Sequence, residues 1–380
     1  MPVTDDTPVA RVRWRQRGLT SAVVSVEVED HDRLTDVATI VLSDPSGVAA
    51  SFVLPGHEVD VEMGWGEETT IVFSGVVRAS SSETGADGRQ LTTVVAYDRS
   101  WLLHQEATTE DHVGALSAIV KKIAGRHPVP VGQVELDPDP TFTERRPLRQ
   151  HGRTDLEFLQ HLAARFGARA FVERNDGTDQ LYFVSAARLL AAEPLGALPH
   201  GRSSSVLAQF RYQRVGAQAA GQVLATTVDP DTGEVKDATG AEPAPESPLT
   251  ATPDRVDAIN RQSDGLGAVY ELGIDEASAA MPEAPKPVRV LGLPADPDAL
   301  DHVVVPDPTT KLGLRGWGRI PGSPVLRAKA TVTIDGIAPW AAGDWYLACV
   351  VHSFAGHSSI GGPADDGRIS TYETKFAVTR

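Results

Sequence analysis

The sequence predicts an α+β protein that is mostly β, with strand-rich regions at both ends and a small helix-and-hairpin insert between them. Three observations carry this prediction. Period-two alternation of apolar and polar residues recurs through the first hundred residues and again after Ser203. Two middle segments switch to three- and four-residue spacing. Asn175-Asp176-Gly177 then stands between two short alternating runs, the punctuation of a tight hairpin.

In the N-terminal region, Ala22 to Val28 alternates, with Val24, Val26 and Val28 opposite Ser25 and Glu27. Asp36 to Leu42 continues the pattern, and Ser43-Asp44-Pro45-Ser46-Gly47 supplies a turn. Val59 to Met63, Ile71 to Val77 and Leu91 to Tyr97 follow as strands, with Ser80 to Arg89 read as a polar loop. Five or more strands at short spacing without a helix signal indicate a small barrel or sandwich.

The period changes near Thr109. Val113, Leu116, Ile119, Val120 and Ile123 lie on one helical face, with Gly125 as the cap and Lys121 and Lys122 in the last turn, where the helix dipole favours cations. His127 to Arg149 shows no periodicity. Thr154 and Glu157 then form a capping box, each side chain satisfying a backbone N–H that the helix start leaves open. Leu156, Leu159, Leu162, Ala163 and Phe166 make the apolar stripe of this second helix, and Gly167 ends it. Arg169 to Glu173 and Gln180 to Val184 pair as the hairpin.

Beyond Ser203, strands are predicted over Val206 to Val215 and Gln222 to Thr227, with a return after the acidic turn Asp229 to Gly233. That turn lacks the spacing and terminal Glu of an EF-hand. Residues 241–253 and 281–308 are Pro-rich and read as loops around the short strand Val288 to Leu291. Ala328 to Ile334, Trp345 to Phe354 and Thr371 to Val378 close the chain as strands.

At 380 residues the chain is long enough for two or three domains. With 41% hydrophobic and 23% charged residues it reads as an ordinary globular protein rather than a disordered one. No apolar run is long enough for a membrane helix, and the acidic, polar start carries no signal-peptide pattern, so synthesis in the cytoplasm is expected. Cys349 is the one cysteine, which rules out an intrachain disulfide; its apolar neighbours favour an inert buried thiol. A formal charge of −16 argues against nucleic-acid binding, which relies on basic groups to neutralise phosphate.

Candidate chemistry is thin. His104, Glu106, Glu110, Asp111 and His112 cluster between a strand and a helix, where catalytic groups do sit, but acidic residues in a helix's first turn are also what the dipole prefers. His352 and His357, with Asp365 and Asp366 nearby, are a second cluster whose spacing is not specific for a metal. There is no nucleophile elbow, no His-Glu-x-x-His pair and no phosphate loop; Gly361-Gly362 reads as a turn. Trp317, flanked by Gly316 and Gly318, is either a stacking platform or a ring packed against a loop.

The order of these pieces resembles the baseplate hub proteins of contractile phage tails, the late control gene D family, and the N-terminal half of type VI secretion spike proteins. The resemblance rests on Ala96-Tyr97-Asp98 at a strand end, Ile119 to Ala124, and the set Asp155, Phe158, Leu159, Leu162 and Ala163. Val350-Val351-His352 and Tyr372-Glu373-Thr374-Lys375-Phe376 complete it. It implies two tube-type β-barrel domains, over residues 1–106 and 201–380, around an insert at 107–200. It implies no catalytic, cofactor-binding or metal-binding residue and no cofactor. The implied partners are two further copies in a homotrimer, the inner tail tube, other baseplate components and a separate spike, since the chain ends at Arg380 just after its last strand. Neither specific nucleic-acid binding nor membrane insertion is expected. The Pro-rich segment 247–323 departs from the pattern, and the helix expected near Glu276 to Met281 looks short. Two other readings compete: a baseplate-associated peptidoglycan hydrolase using the His104 to His112 region, and a receptor- or carbohydrate-binding β protein using Trp317.

Overall fold

A computed structural model describes residues 7–14, 17–18, 22–200 (except 87, 89, 138, 146 and 176), 207–214, 314–338, 341–356 and 370–380. It also gives residue 233 and the backbone of strands Val223–Val228, Val235–Gly240 and Val288–Val290. The Pro-rich loops, except for Val288–Val290, lie outside the described residues, as do the helix near Glu276, the turn at 229–232, Gly361-Gly362, His357, Asp365 and Asp366.

The architecture is α+β and mostly β. Among the described residues thirteen strands join one sheet that runs through both ends of the chain. From one edge its order is Gln209–Arg214, Leu314–Pro321, Thr371–Thr379, Gly343–Ala355, Val23–His31, Val37–Ser43, Gln90–Asp98, Glu68–Thr84, Glu58–Trp65, Pro8–Trp14 and Arg17–Gly18. Ala197–Pro199 and Thr331–Asp335 attach beside Gly343–Ala355. The seam between the two ends is antiparallel, with Cys349 opposite His31 and Ala355 opposite Ser25.

Alternation decides what each strand buries. Ala10, Val12 and Trp14 of Pro8–Trp14 share one core with Val26, Val28, Ala38, Ile40, Val61 and Met63. Strands distant in sheet order thus face the same interior, so the N-terminal sheet curls round its own core. Phe354 and Tyr372, from the C-terminal strands, belong to that core as well. A second core lies under the C-terminal strands, where Ile320, Val332, Ile334, Trp345, Val350, Phe376 and Val378 meet.

Between the two sits the insert, with its own core of Leu116, Ile119, Ile123, Phe158, Leu159, Leu162 and Phe183. The helix Asp155–Arg165 carries the predicted capping box, with Glu157 N–H donating to Thr154 Oγ1 and Thr154 N–H donating to Glu157. The hairpin also forms as predicted: Ala168–Asn175 pairs with Thr178–Ser185, and Asn175 faces Thr178 across a two-residue turn.

Four expectations need correction. Ser80 to Thr84 extends the strand Glu68–Thr84 instead of looping, because Ser82 and Thr92 join side chains across the ladder. Val113 is off the helical face and half exposed; Gly114 takes a φ of 117°, so the helix begins only at Leu116. The stretch from His127 to Arg149 holds short strands, with Val131–Glu135 running parallel to the hairpin. Glu110 and Asp111 lie on the strand Ala107–His112, not in a helix's first turn.

Candidate functional site

The cluster read from the sequence at His104 to His112 is dispersed by its own strand. Alternation turns Asp111 to solvent and His112 into the core of the insert. His112 Nε2 meets Gln150 Oε1 at 3.1 Å, and its ring stacks on Phe158. Gln150 in turn donates to Asp155 Oδ1 at 2.8 Å, and Asp155 Oδ2 lies 2.8 Å from His127 Nε2. Glu110 instead faces Lys122 and Arg126, and Lys122 above all holds its carboxyl below the usual range. His104 packs against Trp101 and bonds Thr154 Oγ1 at 3.0 Å, while Glu106 is exposed. These groups hold helix and strand together; they do not converge on one open point.

A denser cluster lies where the three cores meet. Asp30, Asp36 and Glu173 bring carboxylate oxygens within 4.8 Å of one another, a spacing that could hold a metal ion. The Lys329 ammonium stands among them, 2.5 Å from Asp30, 3.4 Å from Asp36 and 3.6 Å from Glu173. It also donates to the His31 carbonyl at 3.1 Å. Burial alone would raise Asp30, but the Lys329 charge and hydrogen bond outweigh it and hold Asp30 ionised. Burial pushes Asp36 well above the usual range, and Asp98 and Glu173 also rise.

The surrounding groups fix that lysine from several elements. Asp98 accepts from the N–H groups of Ser100 and Asp36, tying the Ala96-Tyr97-Asp98 strand end to the cage. Arg327 donates to the Ile71 carbonyl at 2.6 Å and to Glu173 at 3.1 Å. Arg169 pairs with Asp32 at 2.9 Å, both buried. Lys329 itself has a φ of 66°, a left-handed conformation rare for a side-chain-bearing residue outside glycine and Asn. None of Lys329, Arg327, Asp30, Asp36 or Glu173 was singled out from sequence. The available signal was a lysine within the apolar run before Thr331.

The two C-terminal pieces of the resemblance also meet. His352 Nδ1 lies 3.0 Å from Tyr372 Oη and 3.2 Å from Thr374 Oγ1, while Nε2 faces the Leu326 carbonyl at 3.2 Å. Burial lowers the imidazole to about 4, so it is neutral and Nε2 carries the donated hydrogen. Cys349 is half-buried, and burial pushes its thiol up to about 12. Trp317 points outward from Leu314–Pro321 and is 45% exposed, and its flanking glycines lie against Phe210 and Phe376 on the opposite face.

No helix among the described residues is long and apolar enough to cross a membrane. No curated protein sequence matches the chain. Among solved structures, a tail protein from Neisseria meningitidis MC58 is similar at a TM-score of 0.62 and 13% identity, covering 98% of this chain and 97% of that one. The 43 kDa tail protein of prophage MuSo2 from Shewanella oneidensis is similar at 0.59 and 11%, covering 98% and 97%. An E. coli component of the type VI secretion system is similar at 0.53 and 13%, covering 97% and 76%. At these identities the likeness is one of fold. The model of the phage tail baseplate hub (GPD) family matches residues 32–270, more than half of the sequence, and the chain therefore belongs to that family.

Proposed function

We propose that this family member is the trimeric hub of a contractile injection machine, joining a six-fold inner tube to a three-fold spike within the baseplate. One observation carries the reading: a single sheet passes through two separate apolar cores, one at each end of the chain. Each chain then offers two barrel-like halves, and three chains offer six, the number a six-fold tube needs. The division is a first barrel over residues 1–106, an insert over 107–200 and a second barrel over 201–380. Separate core clusters support it, and the cage around Lys329 holds the three parts in register.

In this reading the chain acts by geometry, without catalysis or a cofactor, and is assembled in the cytoplasm into the particle. Solution mass at micromolar concentration tests it, measured on the chain alone and with a candidate spike protein. A species of three times the 40.4 kDa chain mass, alone or on the spike, is expected. A strict monomer under both conditions overturns the trimeric adaptor. Cell-wall lysis abolished by Glu106→Gln or Glu110→Gln would overturn the absence of catalysis.

A further inference from the structure

The outward face of strands Gln209–Arg214, Leu314–Pro321 and Thr371–Thr379 carries a cluster of cations. Arg211 lies directly opposite Trp317, and Trp317 opposite Ala377. In the adjacent row Arg319 lies directly opposite Lys375, two cations on one face of neighbouring strands. Like charges so placed repel. Arg315 is outward on the same strand. Against these four cations Glu373 pairs with Arg319 at 3.3 Å, and Glu29 and Glu27 stand on the same face one strand further on, opposite Val351 and Ser353; Arg211 and Lys375 have no ion pair among the described residues. This basic face belongs to a chain whose net charge is −16.

Trp317 is built into the same face as a rigid platform. A Cβ on Gly316 would come within 2.7 Å of the Phe210 ring, and one on Gly318 within 2.1 Å of the Phe376 ring. Both rings therefore press against bare backbone from the core side. The strand cannot recede under Trp317, and the indole is held outward. A trough of about 830 Å³ lies beside it, lined by Val351, Cys349 and Ala377 and by Gln209, Arg211 and Lys375.

We propose that this trough binds an acidic, extended polypeptide segment of a partner protein, with an apolar side chain of the segment on Trp317 and carboxylates on Arg211 and Lys375. Charge complementarity selects the occupant, since Arg211 and Lys375, the two cations in the trough without an ion pair among the described residues, call for an anion. Among the described residues Trp317 is the one exposed aromatic side chain in the trough, whereas single-stranded nucleic acid is held by successive aromatic platforms. Same-face side chains of an extended peptide recur about every 6.7 Å, a spacing that successive outward positions of the sheet share. The proposal stands apart from the trimeric adaptor reading, because it concerns one face of one chain.

The test uses the full chain and a short fluorescently labelled peptide alternating Glu and Val, followed by anisotropy. A peptide with Ser in place of Glu and a labelled oligothymidine of similar length serve as comparators. The Glu peptide is expected to bind and to weaken as salt rises. Trp317→Ala, and separately the pair Arg211→Glu with Lys375→Glu, should each weaken it roughly ten-fold or more. Thermal melting should be unchanged in these variants, since the altered side chains lie outside the cores. Equal binding of the Ser peptide, equal or tighter binding of oligothymidine, or no effect of the substitutions overturns the proposal. So does loss of a self-assembled species in the Arg211→Glu, Lys375→Glu variant without peptide, which would make a second copy the occupant.

Discussion

At His352, burial and hydrogen bonding set the charge. The ring is enclosed between Tyr372, Thr374 and the Leu326 carbonyl, and burial lowers its pKa from 6.5 to about 4. Between those values the unfolded chain takes up a proton that the folded chain refuses. Stability is therefore full above pH 6.5 and falls as the pH drops towards 4, by on the order of 3 kcal/mol across the window. His352→Gln keeps a donor for the Leu326 carbonyl and removes the titration. Thermal melts from pH 7 to pH 4.5 should show a shallower acid decline in the variant than in the wild type. The carboxyls around Lys329 are common to both proteins, so the difference between the two curves isolates the imidazole. Parallel curves would mean that the site admits water and that the ring protonates in place. The sequence placed Val350-Val351-His352 within a strand without naming the partners, because Tyr372 and Leu326 are neighbours only after the ladder forms.

Individual elements were legible where a local rule decides them. Thr154 and Glu157 announced a helix start from three residues of spacing, and Asn175 to Gly177 announced the hairpin. Elements whose limits depend on a distant neighbour were not: Ser80 to Thr84 looks like a loop until Gln90–Asp98 lies beside it. Gly316-Trp317-Gly318 belongs to the second kind. In sequence the glycines only flag Trp317 as a stacking platform or a ring packed against a loop, but in the structure they are strand residues that make room for Phe210 and Phe376. Gly318→Ala should therefore behave as overpacking, costing roughly 1–3 kcal/mol, although alanine suits a strand no worse than glycine. A melting temperature unchanged by Gly318→Ala would mean that the Phe376 ring can move aside, and would remove the rigid floor argued for Trp317.

Across the whole molecule, the strand seam and the Lys329 cage do the same work by different means. The seam joins residues more than three hundred positions apart through backbone hydrogen bonds. The cage joins Asp30 of the N-terminal sheet, Glu173 of the insert and Lys329 of the C-terminal segment through charge. No sequence pattern announces such a cage, because its members are separated by most of the chain and each looks like an ordinary surface charge. Burial alone would drive Lys329 towards neutrality, yet Asp30, Asp36 and Glu173 keep it charged. Removing it with Lys329→Met leaves those carboxyls buried without their cation, and breaking a buried pair in this way costs about 3–5 kcal/mol. The loss should depend on pH with a definite sign. Without the ammonium, the carboxyls in the folded variant hold their protons to higher pH than in the unfolded chain, so the variant weakens as pH rises. The gap from the wild type is then widest near pH 7 and narrows towards pH 5. Adding Asp30→Asn should recover part of it, since one uncompensated charge is gone. Denaturant melts at the two pH values check all three points. A loss below about 1 kcal/mol, the range of exposed ion pairs, would mean that water reaches the cage and that the seam alone holds the two halves together.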